Sequence, residues 1–428
     1  MRMEKFTEIF TKIAAKISTN KYLVAIRDGL MALMPMLIVG SIGTLLGSVV
    51  FSTNGLAQIK GLEFLQNYSQ VFLKLANSTT DILALLAAFS IGRAYAKNFK
   101  SEGFLEGVLA VVCFLIVSPN TLNVVVDDKS QVVAGVLSTN VINSRGLFVA
   151  MIASVACVAA YSHLVKIDKL KIKLPDSVPP NVAGAFTVII PTSIVCIATT
   201  LFAAIFEGLV GSNMADFIYS VLQAPIQAAF QHPLGILIVV FFAGLFWFLG
   251  VHGSSLAMTI VGPIMYASLQ VNMSAFANGQ PVTEIVTYPF WNLFATMGGF
   301  GCTLGLIAAI FIVGKKEEDK AIAKLSLPAG IFGINEPMIF GLPIVMNPII
   351  AIPFILTPIV TCIIGYLAMY LGICSKFVSA VPWVVPPCLN GFIATGGDIR
   401  MALVQAVCLV VSTLIYIPFV KIRNNVDK

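Results

Sequence analysis

Charge is what this chain has least of. Charged residues make up 11% of its 428 positions, against roughly 25% in soluble domains. So little polar surface cannot cover a water-soluble globule of this size, and soluble classes are excluded. No Lys or Arg occurs between Lys173 and Lys315, and histidine occurs only three times in the whole chain. The eight cysteines stand singly in apolar stretches with no CxxC pair. That pattern excludes a disulfide framework and a zinc site, and suits buried thiols acting as small hydrophobes. GxxxxGK[ST], HExxH and a Ser-His-Asp signature are all absent. Without a P-loop the chain has no ATP site of that kind, so energy must come from a gradient or another protein. No metal or cofactor is expected. A cleavable leader is not expected either, because the first long apolar run is a full span without a small-residue cleavage pattern.

What is there is apolar. Hydrophobic residues make up 58% of the chain, and the mean hydropathy is +0.94. Long apolar runs lie near 29–51, 146–165, 183–206, 234–251, 299–313 and 401–420, several past the roughly 18 residues that mark a membrane-spanning helix. The fold class expected is an all-α polytopic membrane protein of about ten transmembrane helices, with re-entrant hairpins and an N-terminal amphipathic helix. That amphipathic helix is placed at 1–22, where Phe6, Ile9, Phe10, Ile13 and Ile17 share one face and Lys5, Lys12 and Lys16 lie elsewhere. Twenty of the 26 basic residues fall in five clusters: 1–27, Arg93–Lys100, Lys166–Lys173, Lys315–Lys324 and Lys421–Lys428. The positive-inside rule puts those clusters, and both termini, on the cytoplasmic side. The net charge of +6 then reflects topology, and no nucleic-acid partner is expected.

Spans alternate plainly through residues 23–212, which read as a regular helical scaffold. Residues 52–78 read as an outer segment, and 120–145 as an outer stretch able to form a small β-hairpin. Residues 213–428 differ, because Gly, Pro, His, Trp and Asn interrupt their apolar segments. Irregular backbone at membrane depth survives only where protein or a watery cavity satisfies it, so this half is expected to handle the substrate. GxxxG pairs at Gly43–Gly47 and Gly301–Gly305 are compatible with oligomerisation.

Three broken stretches carry candidate chemistry. In GINEPMIFGLPIVMNP, 333–348, Glu336 sits between breakers. A carboxylate there can accept a hydrogen bond or a proton from a hydroxyl, or it can cap freed backbone amides. In FWFLGVHGSS, 246–255, Trp247 offers a flat apolar face for a sugar ring, and His252 lies between Gly250 and Gly253. That histidine suits proton work or hydroxyl recognition, and equally suits a structural place at a span end. In VPWVVPPCLNGFIATGGD, 381–398, Trp383 lies on proline-broken backbone, followed by Asn390. Trp383 suits either a second sugar platform or an interfacial belt. Arg93 in SIGRAY either faces the interior or simply marks a cytoplasmic helix end.

GINEPMIFGLPIVMNPIIAIPF, LPDSVPPNVAGAF at 174–186, FWFLGVHG at 246–253 and AKLSLPAGIFGINEP at 323–337 carry a resemblance across essentially the whole chain. It resembles the membrane component, enzyme IIC, of the bacterial phosphoenolpyruvate-dependent sugar phosphotransferase system, lactose/cellobiose/diacetylchitobiose branch. The resemblance implies a homodimer formed mainly through the N-terminal half, in the bacterial cell membrane, with a C-terminal half that holds a β-linked disaccharide. It implies that the sugar reaches the cytoplasmic face and that its 6-hydroxyl is phosphorylated by phospho-enzyme IIB, with enzyme IIA upstream. Glu336 is then expected near the reacting hydroxyl with His252 beside it, and Asn335, Trp247 and Trp383 lining the site. The chain ends at VKIRNNVDK with no IIB domain, so the phosphoryl donor is expected to be a separate protein. From the residues alone a proton-coupled sugar symporter stays open, with Glu336 as relay and His252 as its partner.

Overall fold

The computed structural model describes residues 12, 15–52, 59–126, 129–172, 174–175, 178–342, 344 and 347–425. Most of the amphipathic helix expected at 1–22 lies outside them. Helices α1 (Lys21–Ala32), α2 (Met34–Leu45), α3 (Ser69–Thr80), α4 (Leu83–Ala96) and α5 (Phe104–Ile116) come first. The expected hairpin follows as β1 (Thr121–Val126) and β2 (Lys129–Ala134), antiparallel with Thr121 opposite Ala134. Then come α6 (Leu147–Leu164), α7 (Ile189–Val210), α8 (Pro233–Phe248), α9 (Gly253–Ala277), α10 (Thr303–Val313) and α11 (Glu317–Ile331). The chain finishes with α12 (Glu336–Gly341), α13 (Pro348–Tyr370), α14 (Leu389–Ala394) and α15 (Ile399–Arg423), short turns aside.

Among the described residues, six helices are long and apolar enough to cross a membrane, by length and composition. Two interrupted pairs, Lys21–Ala32 with Met34–Val50 and Met214–Gln231 with Pro233–Phe248, raise the number to eight if each pair is one span. Helical spans satisfy every backbone group internally, as a hydrocarbon surrounding requires.

The chain forms two compact units that interleave in sequence. One unit holds Asn20–Met36 and Asn77–Ile226. Its core joins Ala84 and Ala88 of α4, Phe114 of α5, and Val149, Ala150 and Ala153 of α6. Small residues let these helices meet closely: a Cβ on Gly29 would lie 2.6 Å from Ile91 Cγ1, and Ser90 Oγ donates to Gly29 O at 2.8 Å.

The other unit holds 15–19, Leu37–Ala76 and Gln227–Lys428. The segment 52–78, read as an outer stretch, includes most of α3, which packs on α2. A Cβ on Gly43 would come within 2.9 Å of Phe72 O, and one on Gly47 within 2.8 Å of Leu73 Cγ. Ser69 Oγ also donates to Gly47 O at 2.8 Å. Gly301 faces Phe354 and Gly305 faces Ser412 with equally little room. Both GxxxG pairs therefore serve packing within the chain, where close backbone approach is the reason for small residues. In the same unit the loop 278–287 is tied down by two side-chain amides, the half-buried Gln231 and the buried Asn272. Gln231 accepts from Ile285 N and Val286 N, and Asn272 accepts from Glu284 N and donates to Glu284 O and Phe377 O.

All eight cysteines are free thiols, six of them buried, as their apolar settings imply. Among the described residues no group of three or more His, Cys, Asp or Glu is arranged to hold a metal.

Candidate functional site

The break between α8 and α9 sets His252. Gly250 takes a left-handed φ of +82°, which costs glycine little. A Cβ on Gly253 would strike Ala243 O, so the helices cross where only glycine fits. His252 becomes the N-cap of α9. Its Nδ1 accepts from Ser255 N at 3.1 Å and lies 2.9 Å from Ser255 Oγ. Because a backbone N–H can only donate, Nδ1 is the acceptor and the neutral ring carries its proton on Nε2. Burial pulls the His252 imidazole below its ordinary value, outweighing a backbone hydrogen bond and the nearby Glu336 carboxylate, which both raise it. Nε2–H is thus a hydrogen-bond donor at neutral pH.

Trp247 supports that ring. Its indole lies 4.3 Å from the imidazole, centroid to centroid, and its Nε1 donates to Ser254 Oγ at 3.2 Å. It is only 6% exposed, so little of the flat face that the sequence suggests for a sugar is open, and the His252 ring is tilted against it at 46°.

Glu336 stands on a turn with a defined seat. α11 ends at Ile331, Gly333 turns the chain at φ +82°, and Glu336 opens the short α12 with Pro337 behind it. The Glu336 side chain is exposed, whereas Asn335 beside it is buried. Asn335 Nδ2 donates to Phe300 O at 2.8 Å, and its side chain fills the space where a Cβ on Gly299 would be. Trp383 closes the other flank: a Cβ on Gly333 would lie 3.3 Å from Trp383 Cε3. Trp383 is 49% exposed and keeps an open indole surface next to the Glu336 turn.

The seat itself, TMGGFGC at 296–302, escaped sequence reasoning. Gly298, Gly299, Gly301 and Cys302 all have positive φ. Side chains hold its carbonyls: Thr303 Oγ1 bonds Gly298 O at 2.5 Å, Tyr416 OH bonds Gly301 O at 2.7 Å, and Ser412 Oγ bonds Cys302 O at 3.0 Å. Three glycines in four residues, 298, 299 and 301, were the available signal.

Glu336, His252, Trp247, Asn335 and Trp383 therefore belong to one unit, the first four at the α8–α9 and α11–α12 breaks and Trp383 in the stretch between α13 and α14. Asn390, on α14 of the same unit, is buried; its Nδ2 donates to Val385 O at 3.1 Å, and its Oδ1 has no partner among the described residues. Arg93 belongs to the other unit. It is exposed at the last turn of α4, where its backbone leaves room only for Gly103 at the turn into α5.

Apolar helices interrupted where a carboxylate, an imidazole and an open indole gather define a helical membrane protein built to handle a polar solute. The comparisons make this specific: residues 27–358 match the family described as "Phosphotransferase system, EIIC". The chain belongs to that family. An oligo-beta-mannoside-specific EIIC component of Bacillus subtilis (strain 168) is 33% identical over 427 residues, spanning 99% of this chain and 94% of the relative. A cellobiose-specific EIIC component of Geobacillus stearothermophilus is 31% identical over 418 residues, spanning 96% and 92%. The crystal structure of ChbC, the IIC component from the N,N'-diacetylchitobiose-specific phosphotransferase system, superposes with a TM-score of 0.90 at 32% identity, covering 97% of this chain and 96% of that one. A lactose-specific EIICB component of Streptococcus mutans serotype c is 31% identical over 411 residues, which cover 96% of this chain but 70% of that longer protein.

Proposed function

We propose that this chain binds a β-linked disaccharide of the cellobiose, diacetylchitobiose or lactose type, brings it to the cytoplasmic face, and presents its 6-hydroxyl to phospho-enzyme IIB. The names of the relatives support the sugar class. The observation that carries the chemistry is the pairing of an acceptor, Glu336, with a donor, His252 Nε2–H, within electrostatic reach of each other. A sugar hydroxyl both donates and accepts, so the pair matches it in both senses. Asn335 and Trp247 act here mainly by holding those two groups, and Trp383 supplies the open apolar face.

In this reading Glu336 takes the proton of the 6-hydroxyl as its oxygen bonds to phosphorus, while the sulfur–phosphorus bond of a IIB phosphocysteine breaks and the thiolate leaves. A positioned base of this kind contributes about 10²–10⁴-fold, and the rest of the transfer depends on alignment and charge stabilisation. The phosphoryl group comes from IIB, with IIA upstream; one relative carries the name of a combined EIICB component. The long, sparsely buried α7 region, 17% buried over its most apolar window, fits a homodimer formed through the unit that contains it. Adding the shorter apolar helices Phe104–Ile116 and Thr303–Val313 to the six spans and two interrupted pairs reaches ten crossings with both termini cytoplasmic. The α11–α12 break is then re-entrant, and the α8–α9 break is a turn between two consecutive crossings.

The test uses proteoliposomes loaded with IIB, the upstream phosphorelay proteins and phosphoenolpyruvate, given a panel of disaccharides outside. Lumenal sugar 6-phosphate from one or more of the panel supports the reading and names the substrate. Free sugar that accumulates without phosphoenolpyruvate and vanishes with a proton ionophore makes the chain a symporter instead.

A further inference from the structure

The arm that bears Glu336 is held at its far end by contacts no part of the sugar site requires. After α10 the chain turns at 314–316, and α11 runs back along α10. Ala323, Ser326 and Gly330 are buried on its inner side, and a Cβ on Gly330 would lie 3.3 Å from Ile307 Cδ1 and 3.4 Å from Leu304 Cδ2. This return path carries the tip, 332–336, to the seat at 296–302. The end of α15 closes on the elbow. Arg423 forms two parallel bonds to Asp319, Nε to Oδ2 at 2.9 Å and Nη2 to Oδ1 at 3.0 Å. These side chains are 15% and 2% exposed, a buried fork-to-fork pair of high geometric specificity. Asn424 adds two more bonds, accepting from Lys315 N at 2.9 Å and donating to Val313 O at 2.9 Å. One helix thus grips both ends of the structure that places Glu336: Ser412 and Tyr416 hold the seat, Arg423 and Asn424 the elbow.

We infer that Asp319 and Arg423 are positioning residues for Glu336, a clamp that pins the start of α11 to the end of α15 so that the carboxylate meets the sugar hydroxyl in register. The inference rests on the proposed phosphoryl transfer for its functional consequence, but the clamp itself is testable without it. The acidic partner is the one that the first turn of a helix favours. A neutral residue at 423 leaves the buried Asp319 carboxylate without its guanidinium, and the elbow is the place that yields. The tip then shifts, although no sugar contact has been touched.

The experiment compares wild type, Arg423→Gln and Arg423→Lys as full-length protein. Hydrogen–deuterium exchange over residues 329–342 reads the tip, whose amides Ile334, Met338 and Ile339 are bonded to Ala329 O and Asn335 O. Exchange in Arg423→Gln should rise by about tenfold or more over wild type, as for a locally loosened segment, with Arg423→Lys between the two. In the phosphorylation assay Arg423→Gln should lose about 10- to 100-fold in kcat through misplacement, while KM stays within about twofold. If Arg423→Gln does not fold, Asn424→Ala weakens the same elbow and replaces it. Unchanged tip exchange overturns the clamp whatever the chain transports, and so does normal kcat with a loosened tip. A wild type that forms no sugar phosphate overturns the functional reading and leaves the exchange result standing on its own.

Discussion

At the scale of single residues, the site turns on where two protons sit. Ser255 N–H fixes Nδ1 of His252 as an acceptor, and burial holds the ring's affinity for a second proton below the ordinary value of 6.5. The neutral ring therefore donates from Nε2, and acidification adds a proton at Nδ1 that removes the cap on α9. Sugar binding should weaken as pH falls through the lowered value, with its inflection below 6.5, measured by calorimetry across a pH series. Because the Glu336 charge favours the protonated ring, Glu336→Gln should move that inflection lower still; an upward shift would separate the two groups. Asn335 makes a different point. Its amide donates to Phe300 O, so Asn335→Asp loses a buried donor and should cost about 1–3 kcal/mol, seen as a fall in thermal midpoint.

The motif around Glu336 was legible as a carboxylate between breakers, because proline and glycine announce themselves in an apolar run. The work of its neighbours was not. Asn335 and Trp247 look like sugar contacts in a sequence, since the same amide or indole suits a ligand or a packing partner. Only the path of the chain shows that Phe300 O and the His252 ring claim them. Arg423 and Asp319 are 104 residues apart, and at a chain end an arginine reads as a topology marker until its partner is known.

At the scale of elements, glycine decides how closely backbones approach. Gly43 and Gly47 leave room for α3 against α2 within one chain, although GxxxG in a sequence cannot say whether its partner is the same chain or another. Gly43→Leu should therefore lower the thermal midpoint without changing the oligomeric state read by light scattering. Loss of the oligomer with normal stability would return the motif to an interface. The seat at 296–302 is more demanding: Gly299 has φ +93° and faces Asn335. Gly299→Ala brings both left-handed strain, about 1–2 kcal/mol, and a collision with the Asn335 side chain. It should depress phosphorylation more than sugar binding, because the tip moves and Trp383 does not.

At the scale of the whole molecule, the polytopic helical class follows from charge scarcity and apolar runs, and it was legible for that reason. The interleaving of the two units was not. Residues 37–76 join the unit that contains the site, a long-range association that composition along the chain does not encode. The basic residues Lys315, Lys316 and Lys320 flank the clamped elbow. Neutralising all three should weaken phospho-IIB binding and flatten its salt dependence, measured by titration at several ionic strengths.

The most direct measurement is a single turnover: IIB carrying a radiolabelled phosphoryl group, mixed with disaccharide and either wild type or Glu336→Gln in detergent or lipid. Label should pass to the sugar 6-position with wild type and slow by about 10² or more with Glu336→Gln, while sugar affinity stays within a few-fold. Equal transfer rates in the two proteins would contradict the assignment of Glu336 to the reacting hydroxyl.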